Sequence, residues 1–186
     1  KHFVVIDRAI ARQPGEYVVR CSFRGLGEEN LQGARMRLTQ QGKFCDLVSD
    51  GRARLDVEEF VFPSQEEWTN WYEHAEPVVK IFQQDKADRL AAGETICFTN
   101  LIGAAGSEAE LDAVKLVPVS ETAGIVEADG EEMLFGVGSL PGDLGSAGAY
   151  PLSSASGVIA GLTRLGSGDE PPLASSMPVD LHFGAG

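Results

Sequence analysis

The sequence predicts an α+β fold: a mainly antiparallel β-sheet, a helical segment at about residues 64–93 packed on it, and a Gly/Ser/Ala/Pro-rich C-terminal arm. Three observations predict this class. Runs of β-branched and aromatic residues fill the first third of the chain, helical periodicity is sustained only at 64–93, and the last fifty or so residues hold eleven of the twenty-two glycines. We therefore expect a core domain at residues 1–135 and an extended, low-charge assembly arm at 136–186.

The N-terminal third is predicted to be an antiparallel meander. Residues 3–10 and 17–23 are rich in β-branched and aromatic side chains, and a turn-prone segment separates them, so they are predicted to pair. Residues 34–40 and 43–48 flank a Gln-Gly turn. Asp50-Gly51 is a strong hairpin signal, after which the chain is predicted to return as a strand.

Helix is predicted from Ser64, which is a suitable N-cap, with Glu67 completing a capping box. The aromatic residues that follow at helical spacing are predicted to be buried against the sheet: Trp68, Trp71 and Tyr72. Glu76-Pro77 divides the segment, because the residue before proline avoids the helical region. A second helix is predicted to carry Val78, Val79, Ile81 and Phe82 on its apolar side and to end at Gly93.

Residues 94–102 are predicted to form a strand after the helices. Ser107 and Glu110 have the spacing of a capped helical turn, but residues 111–119 alternate with period two and are predicted to end as a strand. A further hairpin is expected at residues 125–135 with Asp129-Gly130 at its tip.

The C-terminal fifty residues combine low charge with recurring large apolar side chains. In a monomer these side chains would lie across the domain or form small strands, whereas in an assembly they would reach onto neighbours. We expect the second arrangement, because the stretch is long and poor in signals of regular structure. The candidate partner-contact residues are Tyr150, Leu152, Val158, Ile159, Leu162 and Phe183.

Charge and cysteine content limit the partners and the compartment. The formal net charge is −13, and residues 64–133 hold fifteen acidic against four basic side chains, which disfavours direct binding to nucleic acid or to an anionic membrane. The three cysteines, Cys21, Cys45 and Cys97, are odd in number and form no Cys-x-x-Cys motif, so we expect buried thiols and synthesis in a reducing compartment. No membrane-length apolar run is present. A virion or cytoplasmic location is expected.

No catalytic or cofactor-binding constellation is evident in the sequence. Residues 142–148 are similar to the nucleophile loop of chymotrypsin-like proteases, but Leu144 occupies the nucleophile position and Ser146 is displaced from it. His74 has no second imidazole nearby in the sequence, so a metal site there is not favoured. We expect Ser146, His74 and Cys97 to be chemically inert, and we expect no cofactor.

The sequence favours a non-enzymatic structural subunit of a large assembly, of which a virion component such as a phage capsid decoration or tail protein is the most concrete example. The expected partner is protein, either copies of the chain or other subunits. Two alternatives remain open: a small cytosolic enzyme of unknown reaction, and an acidic protein-binding or inhibitory module. A size measurement separates them, because a stable monomer with an ordered C-terminal segment weakens the structural hypothesis.

Overall fold

The computed structural model describes the backbone of residues 2–61, 78–137, 139–140, 144–145, 148–151, 157–165 and 173–183, with side chains up to residue 137. These residues form mostly antiparallel β-structure with one short helix, α1 (Glu108–Asp112). The predicted prevalence of antiparallel sheet is confirmed. The chain divides into two compact units, Lys1–Asp112 and Ala113–Gly186.

The first unit contains two sheets. Its strands are β1 (His2–Ile10), β2 (Gly15–Gly25), β3 (Glu28–Gln32), β4 (Arg35–Gln40), β5 (Lys43–Ser49), β6 (Arg54–Val61), β7 (Val78–Leu90) and β8 (Thr95–Ala105). Sheet A has the order β1-β8-β5-β4-β3, and sheet B has the order β2-β7-β6. Among the described strands of the first unit, the edges are therefore β1 and β3 in sheet A and β2 and β6 in sheet B.

The two sheets pack face to face around an apolar core. One cluster of buried side chains centres on Leu90, Ile96 and Phe98. A second cluster joins Met36, Leu38 and Leu47 of sheet A to Phe82 of sheet B. Alternation along β2 explains this packing, since its odd-numbered positions are partly buried and its even-numbered positions are exposed.

Strand β7 crosses the inner face of sheet A. Lys80 near its start contacts Glu29 of β3, Phe82 packs among side chains of β4 and β5, and Leu90 at its end packs with Ile96 of β8. A single strand of sheet B therefore contacts sheet A from the edge strand β3 to the inner strand β8.

The prediction of a second helix at residues 78–93 is wrong, because Val78–Leu90 is the central strand of sheet B. It pairs with β2 on one side and with β6 on the other. Two flanking ladders satisfy its backbone polar groups, and this outweighs a helical pattern drawn from a few apolar positions. Gly93 has a φ of 90°, but it lies in the turn before β8 instead of ending a helix.

The first predicted helix, with Trp68 and Trp71, lies outside the described residues, so its burial stays a prediction.

The meander prediction for the N-terminal third is wrong in its pairing. Strands β1 and β2 occur as expected, but β1 pairs with β8 and β2 pairs with β7, in different sheets. Asp50-Gly51 likewise connects sheet A to sheet B, and β6 pairs with β7. Turn residues show that the chain reverses, whereas the buried apolar faces decide whether it returns beside itself or in the opposite layer.

Two local hairpins are confirmed. Strands β4 and β5 pair across Gln41 and Gly42, whose φ angles are 50° and 69°. Strands β10 (Ala123–Ala128) and β11 (Glu131–Gly136) pair across Asp129 and Gly130, with φ angles of 53° and 78°. Positive φ at both central residues is the signature of the tight turn that asparagine, aspartate and glycine favour.

The capped turn near residue 107 is a true helix. Ser107 Oγ donates to Glu110 Oε1 at 2.9 Å, and Leu111 of α1 is buried. The following strand begins at Lys115, later than the period-two pattern indicated.

The second unit contains two four-stranded sheets. Its remaining strands are β9 (Lys115–Pro118), β12 (Ser139–Leu140), β13 (Leu144–Gly145), β14 (Gly148–Pro151), β15 (Gly157–Leu165) and β16 (Leu173–Phe183). One sheet has the order β14-β11-β10-β9, and the other has the order β12-β13-β15-β16. The predicted arm thus contributes described strands to both sheets, and its role in an assembly stays a prediction.

Candidate functional site

Exposed large apolar side chains in the described part of the first unit all lie on edge strands. Sheet A exposes Phe3, Val4 and Ile10 on β1 and Leu31 on β3, and sheet B exposes Val18 on β2 and Phe60 and Val61 on β6. The inner strands β4, β5, β7 and β8 expose no large apolar side chain within their described ranges. Apolar exposure is therefore concentrated where another strand could be added to the sheet.

Strand β1 is the most apolar of these edges. Among the described strands it pairs only with β8, over its full nine residues. Phe3 is 64% exposed near its start and Ile10 is 60% exposed at its end. Its only formally charged residues at neutral pH are Asp7 and Arg8. This edge combines strand backbone that no described strand pairs with a nearly neutral, apolar surface.

Strand β3, at the opposite edge of sheet A, is short and acidic. All five of its residues are exposed, and it begins with Glu28 and Glu29. Lys80 Nζ lies 2.6 Å from Glu29 Oε2 and also contacts Glu59. The hydrogen bond from Lys80 holds the pKa of Glu29 below its usual range. Charged side chains of this kind discourage edge-to-edge pairing.

An ion cluster lies beside β3 on the outer face of sheet A. Arg37 is almost fully buried, and its Nε and Nη2 atoms donate to the two carboxylate oxygens of Asp46 at 2.7 and 2.8 Å. Arg37 also donates to Glu108 and Asp112 of α1, each at 2.7 Å. Arg35 donates to Asp112 at 3.0 Å.

Hydrogen bonding to Asp46, followed by that to Asp112 and Glu108, raises the pKa of Arg37. The same cluster lowers the pKa of Asp112, chiefly through its hydrogen bond from Arg37. Asn30 and Gln32 of β3 complete a polar groove of about 210 Å³ beside these ions. The Nε, Nη1 and Nη2 atoms of Arg37 all donate to carboxylates of the same chain, one on β5 and two on α1. This arrangement therefore holds α1 against sheet A.

A layer of polar side chains crosses the core between the sheets. Gln84 and Asn100 are fully buried, and Gln84 Nε2 donates to Asn100 Oδ1 at 2.5 Å. Lys86 Nζ donates to the backbone oxygen of Cys97 at 2.5 Å and lies 3.4 Å from buried Asp50. Buried polar pairs between two sheets favour one alignment of the layers, because a shifted alignment would leave them unpaired.

The three cysteines are free thiols. Cys97 is buried, as predicted, whereas Cys21 and Cys45 are only partly buried. Burial, followed by the hydrogen bond from its thiol to Asp7, raises the pKa of Cys21 to about 12. Burial also raises the pKa of Cys45. A thiol with a raised pKa is a poor nucleophile at neutral pH.

The structure places most of the predicted partner-contact residues in strands of the second unit. Tyr150 lies in β14 opposite Leu134, and Val158 lies in β15 opposite His182. Ile159 and Leu162 are also in β15, and Phe183 in β16 lies opposite Gly157. The β15 and β16 pair thus brings four of these residues into one hairpin. Leu152, with His74 and Ser146, lies outside the described residues.

Sequence reasoning missed the β1 edge and the Arg37 cluster. The alternating pattern located β4 and β5 but did not show that Arg37 and Asp46 face each other under α1. For β1, the neutral composition was visible, but its edge position depends on pairing with β8, ninety residues away in the chain.

Within the described residues, no helix is long and apolar enough to cross a membrane. No group of three or more His, Cys, Asp or Glu side chains in the same part of the chain is arranged to hold a metal ion. No family model, curated protein or solved structure matches the chain.

Proposed function

We propose that this protein is a non-enzymatic structural subunit that assembles with copies of itself through the edges of its β-sheets. A virion component, such as a phage capsid decoration or tail protein, is the most concrete form of this role. The observation that carries the proposal concerns the described residues of the first unit, where exposed large apolar side chains occur only on β1, β2, β3 and β6.

Sheet edges suit assembly for two physical reasons. A strand at an edge presents backbone donors and acceptors that a second strand can pair, and apolar side chains beside them gain free energy when that strand excludes water. Covering one large apolar side chain contributes about 1.5–3 kcal/mol, so several anchors are needed to offset the loss of translational and rotational freedom.

The C-terminal segment adds a second source of contacts in this proposal. Residues 136–186 are rich in glycine and poor in charge, and its candidate contact residues stay as proposed: Tyr150, Leu152, Val158, Ile159, Leu162 and Phe183. The partner is protein, without direct nucleic-acid or membrane contact, and the location is a virion or the cytoplasm.

Sedimentation velocity of the full chain over a range of concentrations tests the proposal. We expect species larger than the 19.8 kDa monomer, and we expect the double substitution Phe3→Ser and Val18→Ser, on two edge strands, to reduce them. Met133→Ser is the matched control, because Met133 is an exposed apolar residue on β11, which has neighbours on both sides. A chain that stays monomeric at the highest soluble concentration contradicts self-assembly.

A further inference from the structure

We infer that β1 is a homotypic pairing strand: two copies of the chain join β1 to β1 in antiparallel orientation about a two-fold axis at Ile6. This inference rests on the proposed function and names its contact. The resulting sheet would continue sheet A of one copy into sheet A of the other, which is an isologous interface.

Charge disfavours two of the four edges, β3 and β6. The chain carries a formal net charge of −13, so two copies repel each other unless the touching surfaces are locally neutral. Residues 2–10 contain one acid and one base, whereas β3 carries two acids and no base, and β6 carries three acids against one base. A second copy therefore fits β1 with less repulsion than β3 or β6.

Strand β2 exposes less apolar surface than β1. The outward positions of β2 are mainly polar, including Arg20 and Arg24, and Val18 is its single exposed large apolar residue. Strand β1 instead exposes Phe3, Val4 and Ile10 along one edge. Burial at β1 therefore removes more apolar surface from water.

The alignment follows from the faces of the sheet. Directly opposed residues of two antiparallel strands share a face, so a continuous sheet pairs positions of the same parity. An axis at Ile6 pairs the whole strand and places Val4 opposite Arg8, and Val5 opposite Asp7, of the second copy. An axis at Asp7 would oppose two carboxylates, and an axis at Val5 would leave the end of the strand unpaired.

Side-chain size also fits the alignment at Ile6. Phe3 of each copy lies opposite Ala9 of the other, so a large side chain meets a small one twice. Phe3 is 64% exposed in the single chain, whereas Ala9 is partly buried. The aromatic ring would thus be covered without two bulky groups meeting.

Charge substitutions at position 4 test both the contact and its register. Val4→Lys places a cation opposite Arg8 of the second copy at two positions related by symmetry, and we expect the dimer dissociation constant to rise at least about tenfold. Adding Arg8→Glu to Val4→Lys restores opposite charges across the axis, and we expect it to recover the dimer. Position 4 faces position 8 only in this register.

The matched control is Val18→Lys, which introduces the same charge at an exposed valine of β2. Sedimentation equilibrium measures the dissociation constants, and circular dichroism and the melting temperature verify that each variant is folded. We expect the control to dimerise like the wild type.

Each contrary result overturns the inference in a distinct way. If Val4→Lys assembles as well as the wild type, the β1 contact is wrong while self-assembly through another edge stands. If Val4→Lys dissociates and the Arg8→Glu double variant does not recover, the register is wrong. A wild-type chain that is monomeric at every concentration overturns this inference and the proposed function together.

Discussion

The two edges of sheet A belong to one sheet but face water with opposite chemistry. Strand β1 has nine residues with one acid and one base, and large apolar side chains at its ends are exposed. Strand β3 has five residues, starts with two glutamates, and is bordered by the Arg37 cluster and by Lys80. One edge is thus apolar and long, and the other is charged and short.

Edges of unlike charge allow a sheet to accept a further strand at one edge and to disfavour it at the other. Both edges present strand backbone, so backbone hydrogen bonding alone would allow either to bind a further strand. Acidic side chains at β3 penalise a second copy of an acidic chain, whereas the balanced charge of β1 does not. The core holds an apolar cluster toward each edge, whereas the Arg37 ion cluster lies only beside β3.

The largest effect is expected for Arg37→Ala at the β3 end. The substitution leaves Asp46, which is 3% exposed, with Arg35 as its remaining cation at 3.4 Å. Loss of one member of a buried ion pair costs about 3–5 kcal/mol, and the remaining arginine places the expected loss toward the lower value. Urea unfolding of the full chain measures the change in the free energy of unfolding.

Arg20→Ala is the control for this loss, since Arg20 forms a bidentate ion pair with Asp85, as Arg37 does with Asp46, but is half exposed. It should destabilise the protein much less. Equal losses in the two variants would show that burial of the Arg37 cluster does not matter.

A smaller effect is expected for Ile96→Val in the apolar cluster near β1. Ile96 is 4% exposed and packs with Leu90 and Phe98. Removing one buried methylene costs about 0.5–1.5 kcal/mol, and the loss should be similar at low and moderate salt because no charge is involved. Urea unfolding at two salt concentrations measures it. A loss that depends strongly on salt would mean that charges, and not apolar contacts alone, stabilise the packing around Ile96.

A pH-dependent effect is expected for Asp112, which joins α1 to the β3 end. Arg37 lowers the pKa of Asp112 in the folded protein, so its contribution to stability is present above the unfolded value of about 3.9 and is lost as the pH falls through the folded pKa. Asp112→Asn should therefore flatten the decline in unfolding free energy below about pH 4.

Urea unfolding between neutral and acidic pH measures this slope. Asp129→Asn, at an exposed hairpin tip, is the matched control for removing an exposed carboxylate. An identical decline in the wild type and in Asp112→Asn would contradict the assigned role of the ion pair.

The smallest effect is chemical and lies at the β1 end. Burial and the contact with Asp7 hold the pKa of Cys21 at about 12, so little thiolate is present at pH 8. We expect iodoacetamide to label Cys21 several-fold more slowly in the folded chain than in the unfolded chain, and we expect Asp7→Asn to speed labelling. Peptide mapping separates Cys21 from the other cysteines. Equal rates in folded and unfolded chains would show that the thiol is not protected.

Local structure was predictable where neighbours in sequence are also neighbours in space. The Gln41-Gly42 and Asp129-Gly130 hairpins follow from residues that tolerate positive φ. The hydrogen bond from Ser107 Oγ to Glu110 likewise joins residues that are three apart in the sequence. The candidate site was less predictable, because the edge position of β1 and the Arg37 contacts with Glu108 and Asp112 depend on distant segments.

A strand-rich, strongly acidic chain reversed by tight turns can be read from the residues alone. The fold establishes which strands pair, that Val78–Leu90 is a strand, and which of the described strands lie at sheet edges. These features differ in the sequence distance over which they are set, because turn propensities and charge depend on a few neighbouring residues. A strand instead satisfies its backbone hydrogen bonds with distant partners, which for β1 and β8 are 85 to 101 residues apart, so its place in a sheet is set by the whole core.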